Sequence, residues 1–171
     1  MNIAIKSDQL AATKALAGRV SVVTGSTSGI GLGIARALAA AGSAVVLNGF
    51  GKPEAVAEAQ AHIRSDFDVE VSFSPADMSQ PSSIQEMIEK TIATFGRLDI
   101  LVNNAGIQYV APLQSFPPEK WDAILAINLS SAFHTSRLAL PSGSSTSLRR
   151  TASSAPRSRR PMWRPSTALS D

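Results

Sequence analysis

Thr24, Gly25, Gly29 and Gly31 fall in VSVVTGSTSGIGLG, residues 20–33, where an apolar run breaks into glycines and passes straight into an alanine-rich helical segment. That order of residue types suits a strand, a tight turn and a helix whose first turn faces an anion. Gly25 lets the chain turn sharply off the strand, Gly29 leaves room for a pyrophosphate to approach the backbone, and Gly31 lets the helix pack closely on the strand. The free N–H groups and positive dipole end of the helix would then face the phosphates. Glycine turns also end ordinary strands, so the rest of the chain has to decide what this one holds.

Such a turn needs a scaffold. Residues 20–24 read as the first strand and 30–41 as the first helix, which Gly42 stops. A second buried strand over 44–48 runs into Gly49, Gly51 and Pro53. Residues 54–64 have helical periodicity, with Val56, Ala59 and Ile63 on one face, and 70–74 alternate as a third strand. Pro81 opens a helix through Phe95 that turns Ile84, Met87, Ile88, Thr91, Ile92 and Phe95 inward, and Gly96 ends it. Residues 100–103 form a fourth strand. A last helix starts near Pro118 and runs from Trp121 to about residue 140, presenting Ile124, Leu125, Asn128, Ala132 and Thr135 along one side. Strands alternating with helices at this spacing predict an α/β doubly wound parallel sheet of the Rossmann type with strand order 3-2-1-4. Ligands belong at the carboxyl ends of such strands, and that is where Gly25, Gly49, Asp77 and residues 103–106 fall.

The 171 residues suit one domain and contain no cysteine, which removes disulfides and thiolate metal sites. His62 and His134 lack ligand spacing and read as helix surface and helix packing, so no metal is expected. No run approaches the ~18 apolar residues that span a bilayer, and the amino terminus lacks the order of a signal peptide; a cytoplasmic protein without a membrane partner is expected. The formal charge of +3 lies at one end: residues 1–141 carry 10 Lys and Arg against 12 Asp and Glu, while 142–171 carry 6 Arg against one Asp. The body is mildly acidic, which does not suit a nucleic-acid partner.

TGSTSGIG at 24–31, NNAG at 103–106, and Ile127 with Asn128 together resemble the short-chain dehydrogenase/reductase family, and the likeness spans residues 16–141. VLNGFG at 46–51 and the stretch NNAGIQYVAPLQSFPPEKWDAILAINLSSAFHTSRLALP at 103–141 resemble the members that oxidise D-3-hydroxybutyrate to acetoacetate. The resemblance implies an NAD-dependent oxidoreductase acting on a small hydroxy acid, whose intact form is a homo-oligomer. It implies that Gly25, Thr27, Ser28, Gly29, Ile30 and Gly31 hold the cofactor diphosphate and ribose, and that Phe50 lies near the adenine side. Asp77 and Met78 would border the adenine, Asn104, Ala105 and Gly106 would line the nicotinamide ribose, and Gln108 would contact the substrate carboxylate. Ser28 and residues 48–51 are uncharged, which favours NAD over NADP. Asn128 would bend its helix and hold a water of the proton relay; a hydrogen-bonding structural amide is the alternative.

One part of the family's chemistry is missing. Removing hydride from an alcohol carbon needs a base for the hydroxyl proton, and the family uses a Tyr with a Lys four residues on, plus a Ser. The only tyrosine here, Tyr109, is followed four residues later by Leu113, and the last lysine is Lys120. From Ser142 the composition turns to Ser, Arg and Pro. Met162 and Trp163 have one codon each, and reading Pro161 to Ala168 shifted by two bases allows Tyr-Val-Ala-Ala-Lys-His-Gly. The same shift allows Ile-Asn-Ile-Ala-Ser-Ala-His-Gly over Ser145 to Ala152. Residues 1–15 therefore read as a lead-in, 16–141 as a partial Rossmann domain lacking the carboxyl half of the sheet, and 142–171 as a frameshift product. The expected consequence is a catalytically inactive chain with strand four as an exposed apolar edge, poorly soluble or partly unfolded. Two alternatives are a non-catalytic nucleotide-binding fragment and a tether to nucleic acid or acidic surfaces through the basic tail.

Overall fold

The structure, a computed structural model, describes residues 14–140, so the expectations for residues 1–13 and for the tail at 142–171 lie outside the described residues. The chain runs through β1 (Val20–Val23), α1 (Gly29–Ala40), β2 (Ala44–Asn48), α2 (Pro53–Phe67), β3 (Val71–Ser74), α3 (Pro81–Phe95) and β4 (Ile100–Val102). A short 3-10 turn (Leu113–Ser115) then leads to α4 (Pro118–Leu125), a π-helical stretch (Ala126–Ser130) and α5 (Ser131–Ala139). The four strands form one parallel sheet in the order β3-β2-β1-β4, the order expected from the sequence.

β1 is buried along its whole length because both faces of the sheet are covered, which is why it reads as an unbroken apolar run. Successive side chains go to opposite layers. Val22 pairs with Val46 and Leu101 in register and packs with Met78, Ile84, Met87 and Ile88 on the α3 side. Val23 pairs with Leu47 and Val102 and packs with Ala35, Ala39, Val45 and Ile63 on the α1–α2 side. Each aliphatic side chain so buried contributes about 1.5–3 kcal/mol relative to exposure. The amino ends of β1 and β4 are pinned by Asp99, whose carboxylate accepts hydrogen bonds from Val20 N–H (2.9 Å), Arg19 (2.9 Å) and Arg97 (2.7 Å).

Three local readings change. The end of the lead-in is tied to the domain, since Lys14 O accepts from Ala17 N–H at 2.8 Å and Lys14 Nζ donates to Phe67 O at 3.4 Å. Ile92 of α3 is 43% exposed, and the inward stripe is completed by Thr91, whose hydroxyl donates to Met87 O at 2.8 Å. The last helix is interrupted at Ala126–Ser130, where one extra residue in the turn rotates everything after it. Thr135 is inward as predicted and Ile124 and Ala132 are half-buried, with Ile127, Ser131 and Leu138 added to the inward side, while Leu125 and Asn128 are exposed.

Candidate nucleotide-binding site

The carboxyl ends of β1 and β4 are joined by one hydroxyl. Thr24 is 2% exposed; its Oγ1 donates to Val102 O (3.3 Å) and accepts from the N–H groups of Asn104 and Ala105 (3.0 Å each). Asn104 answers with its side chain, Nδ2 donating to Thr24 O (2.9 Å) and Gly25 O (3.0 Å). The glycine turn and the segment 103–106 are therefore one hydrogen-bonded unit.

That unit leaves no room at two glycines. Gly25 has φ +62, and a Cβ there would lie 2.9 Å from Ala105 Cα. A Cβ at Gly31 would lie 2.2 Å from Gly25 O and 2.5 Å from Asn104 Nδ2. The close approach expected of Gly31 is thus made against the turn and Asn104. At Gly29 nothing lies within 4 Å of such a Cβ, so the space over the first turn of α1 is open.

The first turn of α1 is free to receive an anion. Ser28 occupies the N-cap position with no side-chain hydrogen bond, and the turn carries no acidic residue. The first N–H groups of a helix have no acceptor within it. Ser28 and Ile30 are exposed, Ile30 by 79%. Thr27 reaches across to the loop after β2, its hydroxyl donating to Phe50 O at 2.9 Å, and the Phe50 ring is 70% exposed. Gly49 and Phe50 border a groove that continues over Val56, Phe73 and Pro75.

On the β3 side, Asp77 Oδ1 accepts from Ser79 N–H at 2.8 Å, which folds the chain into the turn before α3. Met78 is 6% exposed and its side chain belongs to the core, so what it offers a ligand is backbone. On the β4 side, Asn128 clamps the loop after Gly106: its Oδ1 accepts from Ile107 N–H (2.8 Å) and its Nδ2 donates to Ile107 O (2.9 Å). The amide satisfied in this way sits inside the π-helical stretch. Gln108 is exposed on the same loop. Tyr109 beside it packs edge-on against Phe116 and lies under Lys120 Nζ, 5.8 Å from the ring centre.

The turn, the β2 loop, Asp77 and residues 104–108 all lie past the carboxyl ends of the four parallel strands, the position that open α/β sheets use for ligands. Sequence reasoning missed three positioning groups, Thr24 Oγ1, Ser26 and Asn48. Thr24 and Asn48 each close an otherwise apolar run, which was their signal, and Ser26 inside the glycine turn gave none. His62 is exposed, and His134 is half-buried with Nδ1 lacking a hydrogen-bond partner. No group of three or more potential metal ligands occurs among the described residues, and no helix among them is long and apolar enough to cross a membrane.

The short chain dehydrogenase family matches residues 19–164, and the chain belongs to that family. It is 56% identical over 127 residues to D-beta-hydroxybutyrate dehydrogenase of Cupriavidus necator, a match covering 74% of this chain and 48% of that protein. It is 50% identical over 123 residues to the protein of the same name in Rhizobium meliloti, covering 72% and 48%. The chain spans about half the length of these curated relatives. Among solved structures, L-sorbose reductase of Gluconobacter frateurii, complexed with NADPH and L-sorbose, superposes with a TM-score of 0.69 at 32% identity, covering 74% of this chain and 48% of that one. A short chain dehydrogenase of Burkholderia cenocepacia in complex with NADP gives a TM-score of 0.70 at 32% identity, covering 73% and 51%.

Proposed function

We propose that residues 16–141 are the cofactor-holding part of an NAD-dependent D-3-hydroxybutyrate dehydrogenase, and that these 171 residues bind the dinucleotide without oxidising the alcohol. The observation that carries the reading is the interlocked unit of Thr24, Gly25, Gly31 and Asn104, which holds a turn open over the first turn of α1. A bound nicotinamide cofactor would supply the hydride acceptor; the chain supplies its cradle.

In that cradle the backbone of Gly25, Thr27, Ser28, Gly29, Ile30 and Gly31 faces the diphosphate and its ribose. Phe50, Asp77 and the Met78 backbone border the adenine, and Asn104, Ala105 and Gly106 line the nicotinamide ribose. Gln108 meets the substrate carboxylate, and Asn128 holds its loop in place. Uncharged residues at Ser28 and 48–51 favour NAD over a cofactor with an added phosphate, because no cation there would pair with it. The solved neighbours named with NADPH and NADP are 32% identical to this chain over the matched parts.

The step the chain does not supply is removal of the hydroxyl proton. Tyr109, its only phenol, has no Lys four residues on. We read residues 142–171 as out-of-frame text, on the two-base shift that allows a Tyr–Lys pair over Pro161 to Ala168 and a Ser segment over Ser145 to Ala152.

Purified full chain incubated with NAD+ and D-3-hydroxybutyrate should bind NAD+ and form no NADH. Turnover would contradict the reading of the missing base, and absence of NAD+ binding by the folded chain would contradict the cradle.

A further inference from the structure

Asn48 is the last residue of β2 and is fully buried, and each of its polar atoms is engaged. Its Oδ1 accepts from Gly25 N–H at 3.2 Å. Its Nδ2 donates to Ser74 O at 3.1 Å and to Ala76 O at 2.9 Å. Its own backbone is doubly bonded to Ser26, N–H to Oγ at 3.0 Å and carbonyl from N–H at 2.6 Å. No other side chain in the described residues bonds both to the glycine turn and to the chain leaving β3.

We infer that Asn48 is a positioning residue for the cofactor: one buried amide registers the segment carrying Asp77 and Met78 against the diphosphate turn, so the two surfaces proposed for adenine and diphosphate are set at a fixed separation before any ligand arrives. The inference rests on the cofactor-holding reading above and extends it to a residue that touches no ligand. An amide is the side chain that suits the task. It presents an acceptor to a backbone N–H and two donors to two backbone carbonyls, which neither a carboxylate nor a hydroxyl of this reach can do. A carboxylate in its place would keep the Gly25 contact and face two carbonyl oxygens with no proton to share. Gly49, at φ +144, follows directly, and a Cβ there would meet Thr27 Oγ1 at 2.9 Å, so Thr27 of the turn packs over the β2 end.

The test compares the full wild-type chain with Asn48→Asp and Asn48→Ala, titrated with NAD+, 5′-AMP and nicotinamide mononucleotide, with melting followed in parallel. Asn48→Asp should weaken NAD+ and 5′-AMP about tenfold, the equivalent of about 1.4 kcal/mol, and leave nicotinamide mononucleotide within about twofold. Asn48→Ala, which also frees Gly25 N–H, should weaken all three. If Asn48 were merely structural, Asn48→Asp would lower the melting temperature and move the three ligands together or not at all, and that result overturns the inference. Hydrogen exchange of the Gly25 amide in the wild-type chain gives a second readout that needs neither a variant nor a ligand. Exchange as slow as that of the β1 amides supports the inference, and rapid exchange overturns it even if NAD+ binds. Slow exchange without NAD+ binding would instead locate the failure in the cofactor-holding reading.

Discussion

A methyl group added at position 31 would sit 2.2 Å from Gly25 O and 2.5 Å from Asn104 Nδ2, both of which are held by other bonds. Gly31→Ala is therefore expected to force the turn from residues 104–106, to cost more than about 2 kcal/mol as other overpacking changes do, and to abolish NAD+ binding. Gly29→Ala is the contrasting case. Its Cβ would enter open space, and the cost is the left-handed backbone alone, about 1–2 kcal/mol. A denaturant melt separates the two variants, while an NAD+ titration should show weakened binding in both, since the Gly29 Cβ would enter the space proposed for the pyrophosphate. Thr24→Val keeps the shape but leaves the N–H groups of Asn104 and Ala105 without their acceptor, and is expected to cost about 1–3 kcal/mol per stranded group. The glycines were legible in the sequence because turn geometry and close approach restrict those positions to one residue type. Asn48 and Ser26 were not, because an amide at a strand end and a hydroxyl in a turn are equally compatible with solvent, and only the arrangement in space shows both to be fully buried.

Elements were legible where periodicity was unbroken. β2 and α3 begin and end where their sequence predicts, since Gly96, at φ +73, closes α3 and apolar runs define the strand. On the last helix Thr135 is buried as its spacing predicts, but Asn128 was placed inward where a π-helical insertion adds a residue to its turn, and no periodicity argument anticipates where that occurs. The Asn128 clamp on Ile107 occupies that same turn. At the opposite end of the sheet, β1 and β4 start on Asp99. Burial pushes its carboxyl up, but hydrogen bonds from Arg97, Val20 N–H and Arg19, with the charge of Arg97, outweigh it and hold the group below its usual value. A carboxyl lowered on folding adds stability above its unfolded pKa of about 3.9, stability that is lost as pH falls through the folded value. The wild-type chain should lose stability below about pH 4 more steeply than Asp99→Asn, which lacks that group. Melts of both chains between neutral and acid pH measure the difference, and parallel curves would contradict it.

Across the whole molecule, the order β3-β2-β1-β4 followed from chain connectivity and right-handed crossovers alone. Its consequence is a sheet whose β4 has one described neighbour, beside helices that carry large apolar residues outward. Trp121, Leu125, Leu129 and Phe133 recur every fourth residue and are 56%, 38%, 67% and 62% exposed. Surfaces of this kind drive association. Leu129→Ser with Phe133→Ser is expected to reduce self-association in sedimentation without lowering the melting temperature, because neither side chain is part of the buried clusters. A destabilised but equally associated variant would show that the stripe packs within the chain.

Residues 16–141 are proposed to hold a nicotinamide dinucleotide on their own. Isothermal titration of the purified full chain with NAD+, run beside Gly31→Ala, tests it most directly. Saturable binding by the wild type that is lost in the variant is the predicted result. A wild-type chain that melts cooperatively yet releases no saturable heat with NAD+ would contradict it.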